Sequence, residues 1–387
     1  MSAYRRTWWA IGAAALVVSA CKDSTAPQLS NPQQLGSNLQ TVSSVFGSPA
    51  FQSFGALDSA PGSPVAASTP AGALTAATSV AAPQTPRQPY AYADAPARLQ
   101  AFRTTATALG GRLSAQVIPS TVWGKTYVWD VTAHAYAEDP SPAVAGPSTG
   151  VRLILYAIDP ITRHVVESPL TAVGYVDLVD QSSGNTNQLE VIVKDGAQPN
   201  GTTYVDYTVS ATVTGSPASS FDATAVGFVT DGTRRIDFNA TFSATNLATD
   251  NPDVHAVVHW ALDNPALTID LDEKLDTPNA NEATITVDFT YTYAGETVRL
   301  TGTVSVVQSP ISVTADVAVY ENGGGVPVAI IRGTADATHN GITITHQDGS
   351  QLSSAELEAL DQLFELPDRL EEALEHLFHP AERFMGI

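Results

Sequence analysis

Between Val122 and His346 the sequence keeps a period of two, and this constrains the fold more than any other feature. In "TYVDYTVSATV" the residues Val205, Tyr207, Val209, Ala211 and Val213 alternate with Tyr204, Asp206, Thr208, Ser210 and Thr212. In "TITVDFTYTY" the set Ile285, Val287, Phe289, Tyr291 and Tyr293 alternates with Thr284, Thr286, Asp288, Thr290 and Thr292. Successive side chains of a strand point to opposite faces, so each run has one apolar face and one Thr-rich face. After Ala294-Gly295 a mirror run follows through Val298, Leu300, Val304 and Val306, which predicts a long hairpin. Similar runs occupy 123–136, 151–158, 171–180, 188–194, 224–230, 234–245, 254–262, 266–271, 311–320, 326–332 and 340–346. Strand follows strand with short turns, and burial on one face only is the mark of antiparallel pairing. The expectation is a mainly β protein: a long antiparallel meander forming a curved sheet or half-barrel over 90–350.

The flanks read as helices that would cover the sheet's apolar face. Over 31–57, Asn31 precedes Pro32 at a first helical position, and Leu35, Leu39, Val42 and Phe46 recur at helical spacing. Ser48 and Pro49 repeat the start signal ahead of Phe51, Phe54 and Leu57. Residues 58–89 are rich in Pro, Ala, Ser and Thr and almost uncharged, the composition of a linker. A further helix is expected over "DAPARLQAFRTTATAL", with Leu99, Phe102 and Leu109 inward. At the other end, Ser353 and Glu356 form a capping box before Leu357, Leu360, Leu363 and Phe364. Pro367 restarts a second helix carrying Leu370, Leu374, Leu377 and Phe378, so 353–380 reads as a helical lid.

The chain opens with Arg5 and Arg6, an apolar run from Trp8 to Val18, and the small residues Ser19 and Ala20. That is the layout of a secretory signal peptide over 1–20, with an apolar run too short for a permanent span. Next comes Cys21, the only cysteine in the chain. Val18-Ser19-Ala20-Cys21 resembles the lipobox of bacterial lipoproteins, with valine where that family prefers leucine. The resemblance implies cleavage between Ala20 and Cys21, a diacylglyceryl group on the thiol and an acylated new N-terminus. In a Gram-negative cell Lys22 stands where an aspartate would mark inner-membrane retention, which implies an outer-membrane protein facing the periplasm or the cell surface. Ordinary cleavage after Ala20 would leave Cys21 a stray thiol, and a lone cysteine in an exported chain asks for an explanation. Several acyl chains make attachment effectively permanent. Residues 21–30 then read as a lipidated tether.

With 39 acidic residues against 18 basic ones the net charge is −21, and the loss of Arg5 and Arg6 with the leader makes it more negative still. Such a surface repels nucleic acid. Candidate metal ligands are few. In "DVHAVVHWALD" the residues Asp253, His255, His259 and Asp263 share a strand face, but the two histidines are about 13 Å apart at 3.3 Å per residue. Each would need an acidic partner from the next strands, with Asp237, Asp270 or Asp272 at hand. On the last helix Glu372, His376 and His379 recur at spacings that can share a divalent metal. The acidic run 270–276 lacks the glycine and spacing of a calcium loop. There is no nucleophile elbow, His-Glu-x-x-His, phosphate-binding loop or dinucleotide fingerprint. In outline the half-barrel resembles exported lipoproteins that carry or sense lipids. The expectation is a lipid-anchored, non-catalytic binding or structural module, holding a hydrophobic ligand or a protein partner. The alternative is a cell-surface hydrolase of glycan or peptide.

Overall fold

The Ala294-Gly295 turn shows how the sheet is built. Both residues have positive φ (50° and 86°), the geometry of a two-residue hairpin loop whose twist matches its strands, and Tyr293 pairs directly with Glu296. In the computed structural model the described residues are 26–35, 37, 116–159, 161–162, 164–196, 201–215, 218–249, 251–279 and 281–363. They form fifteen strands: β1 (Lys125–Asp130), β2 (Ala135–Glu138), β3 (Gly150–Tyr156), β4 (Ala172–Asp180), β5 (Thr186–Asp195), β6 (Thr203–Thr214), β7 (Ser220–Thr230) and β8 (Arg235–Thr245), then β9 (Asp253–Leu262), β10 (Leu267–Asn279), β11 (Glu282–Tyr293), β12 (Glu296–Gln308), β13 (Ile311–Glu321), β14 (Ala329–Asp336) and β15 (Thr343–Thr345).

From β3 to β15 every strand pairs antiparallel with the next, in one sheet whose edges are β15 and β2. The protein is therefore mainly β, a long meander that is not closed into a barrel. Both edge strands are very short, which limits the unpaired backbone offered to another chain. One pairing departs from the meander: β1 lies between β2 and β3 and runs parallel to β3.

Two expectations are corrected. The run 123–136 is not one strand. Asp130 Oδ1 accepts from the backbone N–H of Thr132 and Ala133 (2.7 and 3.2 Å), and His134 takes a left-handed φ of 51°, so the chain reverses into the β1–β2 hairpin. The run 266–271 is too short. Alternation persists through the acidic stretch, so β10 continues to Asn279, with Asp270, Asp272, Lys274 and Asp276 on the polar face and Leu271, Glu273 and Leu275 on the other.

The apolar face carries the core. Leu189, Val191, Val193, Val205, Val209 and Phe221 are fully out of water, and each buried side chain of this size contributes about 1.5–3 kcal/mol. Large and small residues alternate across neighbouring strands. Gly227 of β7 lies between Tyr207 of β6 and Phe238 of β8, so the two rings meet above it at 6.2 Å, and Phe238 continues the contact to Trp260 at 5.5 Å. Glu273, buried between Ala256 and Val287, is the one carboxylate in the middle of this face among the described residues.

β3 is buried along its whole length. On the side away from Leu153, Arg152 pairs bidentately with Asp177 of β4 (2.6 and 2.7 Å) and lies 4.5 Å from the ring centre of Tyr175. Asp180 Oδ2 accepts from the backbone N–H of Ile118, tying the incoming chain to the same corner.

Candidate functional site

The two ends of the described chain meet on the β11–β14 side of the sheet. A helix begins at Pro32, where the sequence places it, and the Leu35 N–H bonds to the Asn31 carbonyl (3.1 Å). Docking reaches into the stretch read as tether, where Leu29 is buried. Leu29 and Leu35 are buried and share a cleft with Tyr291, Tyr293, Glu296, Val298 and Glu321. Three carboxylates hold the backbone and side chains of this segment. Glu321 accepts from the Ser30 N–H (3.0 Å) and hydroxyl (2.8 Å), and Glu296 accepts from the Asn31 amide (3.1 Å). Glu356, at the start of the helix over 354–363, accepts from the Leu29 N–H (3.2 Å).

Glu356 is buried and does three jobs. Its Oε2 accepts from the Ser353 N–H and hydroxyl (2.8 and 2.7 Å), while the Glu356 N–H donates to Ser353 Oγ (3.3 Å), the reciprocal box read from the sequence. The same Oε2 lies 3.6 Å from Nε2 of the buried His346. His346 Nδ1 donates to the Val328 carbonyl (2.7 Å), which fixes a proton on that nitrogen. The core residues Leu360 and Leu363 of the following helix are almost wholly buried, as their spacing predicts.

The histidines of β9 lie on the polar face. His255 Nε2 donates to Asp272 (2.9 Å) and His259 Nδ1 donates to Asp270 (2.6 Å), so two of the three suggested acidic partners are in place. Asp237 pairs instead with Arg235 (2.6 Å). The two pairs do not converge, because the histidines are four residues apart on one strand. Asp272 stands directly opposite Asp288, but Lys274 (3.9 Å) and His255 flank the first and Arg299 binds the second through two hydrogen bonds. All of these side chains are more than a third exposed on an open strand face. Such an array can hold surface charge in register, and offers no water-excluded cleft for proton transfer. At the other end of the sheet His134 Nδ1 and Trp129 Nε1 both donate to Glu167 (2.7 and 2.8 Å). These bonds, that of His134 first, hold the Glu167 carboxyl below its usual range.

Ala20, Cys21, Glu372, His376 and His379 lie outside the described residues, as do residues 36 and 38–57 of the helices expected over 31–57, the helix expected over "DAPARLQAFRTTATAL", the linker 58–89 and the helix after Pro367. Among the described residues no group of three or more His, Cys, Asp and Glu is arranged to hold a metal ion, and no helix is long and apolar enough to cross a membrane. Sequence reasoning missed the Arg152–Asp177 pair and the contact of Leu29 with Glu356. An arginine among apolar residues in "GVRLILY" and an aspartate in "GYVDLVD" were the available signal for the first; nothing local signals the second, which spans 327 residues. The chain matches no family model, no curated protein and no solved structure.

Proposed function

We propose that the protein is an exported, lipid-anchored, non-catalytic binding or structural module, held at the outer membrane through acylated Cys21 and working through a protein partner or a hydrophobic ligand. The observation that carries this reading is the state of the two sheet faces. The apolar face is already out of contact with water along β5–β14, which favours a structural or protein-binding role over that of an open lipid carrier. The opposite face is Thr-rich and carries cross-strand pairs such as His259 with Asp270 and Arg299 with Asp288, a surface suited to water and to macromolecular contact. The sheet also has edges. An unpaired edge is costly in lipid, and this supports a domain that stands in water beside the membrane.

Native mass spectrometry and solvent extraction of protein purified from its own host test the choice of partner. The reading expects no lipid beyond the acyl chains on Cys21, and no uptake of a hydrophobic dye by the purified protein. A stoichiometric, non-covalent lipid would transfer the function to ligand carriage.

A further inference from the structure

In a meander the turns fall alternately on two rims of the sheet, and the registers assign each turn to a rim. Among the described residues one rim carries 131–134, 157–159, 161–162, 164–171, 196, 201–202, 231–234, 263–266, 294–295 and 322–328. The other carries 139–149, 181–185, 215, 218–219, 246–249, 251–252, 281, 309–310 and 337–342. Five large apolar side chains of the described residues are markedly exposed, and three of them sit at tips of the first rim: Val131 (45 %), Ile161 (90 %) and Val326 (44 %). The other two, Val226 and Val257, lie within strands, so none occupies the second rim. The docked N-terminal segment is also bound to the first rim, through Glu296 beside the 294–295 turn and Glu321 beside the 322–328 turn. From Leu29 back to Cys21 is eight residues. Fully extended, they reach at most about 29 Å.

We propose that this rim is a membrane-facing surface, and that the tips at Val131, Ile161 and Val326 rest on the lipid bilayer. The inference rests on the anchored reading and adds to it which end of the sheet meets lipid. A tether of this length leaves the rim it is bound to close to the bilayer and the other rim a full strand length farther away. Exposed apolar tips gain by entering the headgroup region, as single surface residues in water do not. The rim carries Asp159, Asp263, Glu296 and Glu321 as well as Arg234 and Arg235, so it has no basic patch for anionic lipid. The bilayer it fits is therefore zwitterionic, with contact driven by the apolar tips.

The test uses the chain from Cys21 onward, joined through that thiol to a maleimide-bearing lipid in phosphatidylcholine vesicles, so that attachment does not depend on acylation in a cell. Backbone hydrogen exchange is compared with the same chain free in solution. The proposal expects severalfold slower exchange at 131–134, 157–162 and 322–328 on vesicles, unchanged exchange at 139–149, 309–310 and 337–342, and loss of the slowing in the variant carrying Ile161→Asp and Val326→Asp. Slowing at the second rim, at both rims equally, or at neither, overturns it. The mass of the Cys21 peptide from the host reports separately on the anchor, so the two readings can fail independently.

Discussion

Asp177→Ala is expected to destabilise the protein by about 3–5 kcal/mol, because it leaves the Arg152 guanidinium buried without its carboxylate. Burial opposes the charge on Arg152, but the hydrogen bonds and charge of Asp177 outweigh it and raise the arginine's pKa above its ordinary value. The guanidinium therefore keeps its charge, and the loss of its partner exposes its desolvation cost. In a domain of this size the change lowers Tm by roughly 10 °C. The double variant Arg152→Met, Asp177→Leu restores most of the loss, since apolar residues of similar volume can replace a buried pair at little cost. Thermal melts of the single and double variants measure both effects. A single variant that melts with the parent contradicts the placement of the pair.

Gly227→Val is expected to be comparably severe. A Cβ at Gly227 would lie 2.2 Å from the Asp206 carbonyl oxygen and 2.4 Å from both Cα and Cβ of Tyr207, and neither strand can retreat without breaking the ladder. Overpacking a core costs about 1–3 kcal/mol where side chains can shift, and more where backbone must move. The substitution also parts Tyr207 from Phe238, whose rings meet only because the residue between them has no side chain. Denaturant unfolding followed by tryptophan fluorescence reads the effect directly, because Trp260 lies next to Phe238. A fall in the midpoint at unchanged slope is the expected result. An unchanged midpoint would mean that β6 to β8 are not in this register.

The sheet was legible because one-sided burial writes itself into the sequence twice per turn of the pleat. The long runs on β6, β11 and β12 are read correctly, and so is the hairpin at Ala294-Gly295. The signal fails where that simple demand is relaxed. β3 is buried on both faces, so Arg152 interrupts no alternation and looks accidental. The run expected over 266–271 stops short of Asn279, and Glu273, a carboxylate at an apolar position, breaks the alternation between them. The β1–β2 reversal depends on one aspartate side chain capturing two backbone N–H groups, a choice that local sequence leaves open. The capping box of Ser353 and Glu356 is local and was readable, whereas the use of the same carboxylate to hold Leu29 is a property of the fold alone. For the histidines of β9, the sequence supplied the face and the acidic neighbours, and the structure supplied the pairing that keeps them apart.

If this sheet hangs from a lipid on Cys21, the N-terminal peptide of protein extracted from the membranes of its own host carries that lipid, and its mass reads it out. The expected peptide begins at Cys21, lacks residues 1–20 and carries a diacylglyceryl group on sulfur with a further acyl chain on the new amino group. The shift should vanish in Cys21→Ser, with the protein then released in soluble form. A peptide that begins at Cys21 with a free thiol, or one that still carries the leader, would contradict it.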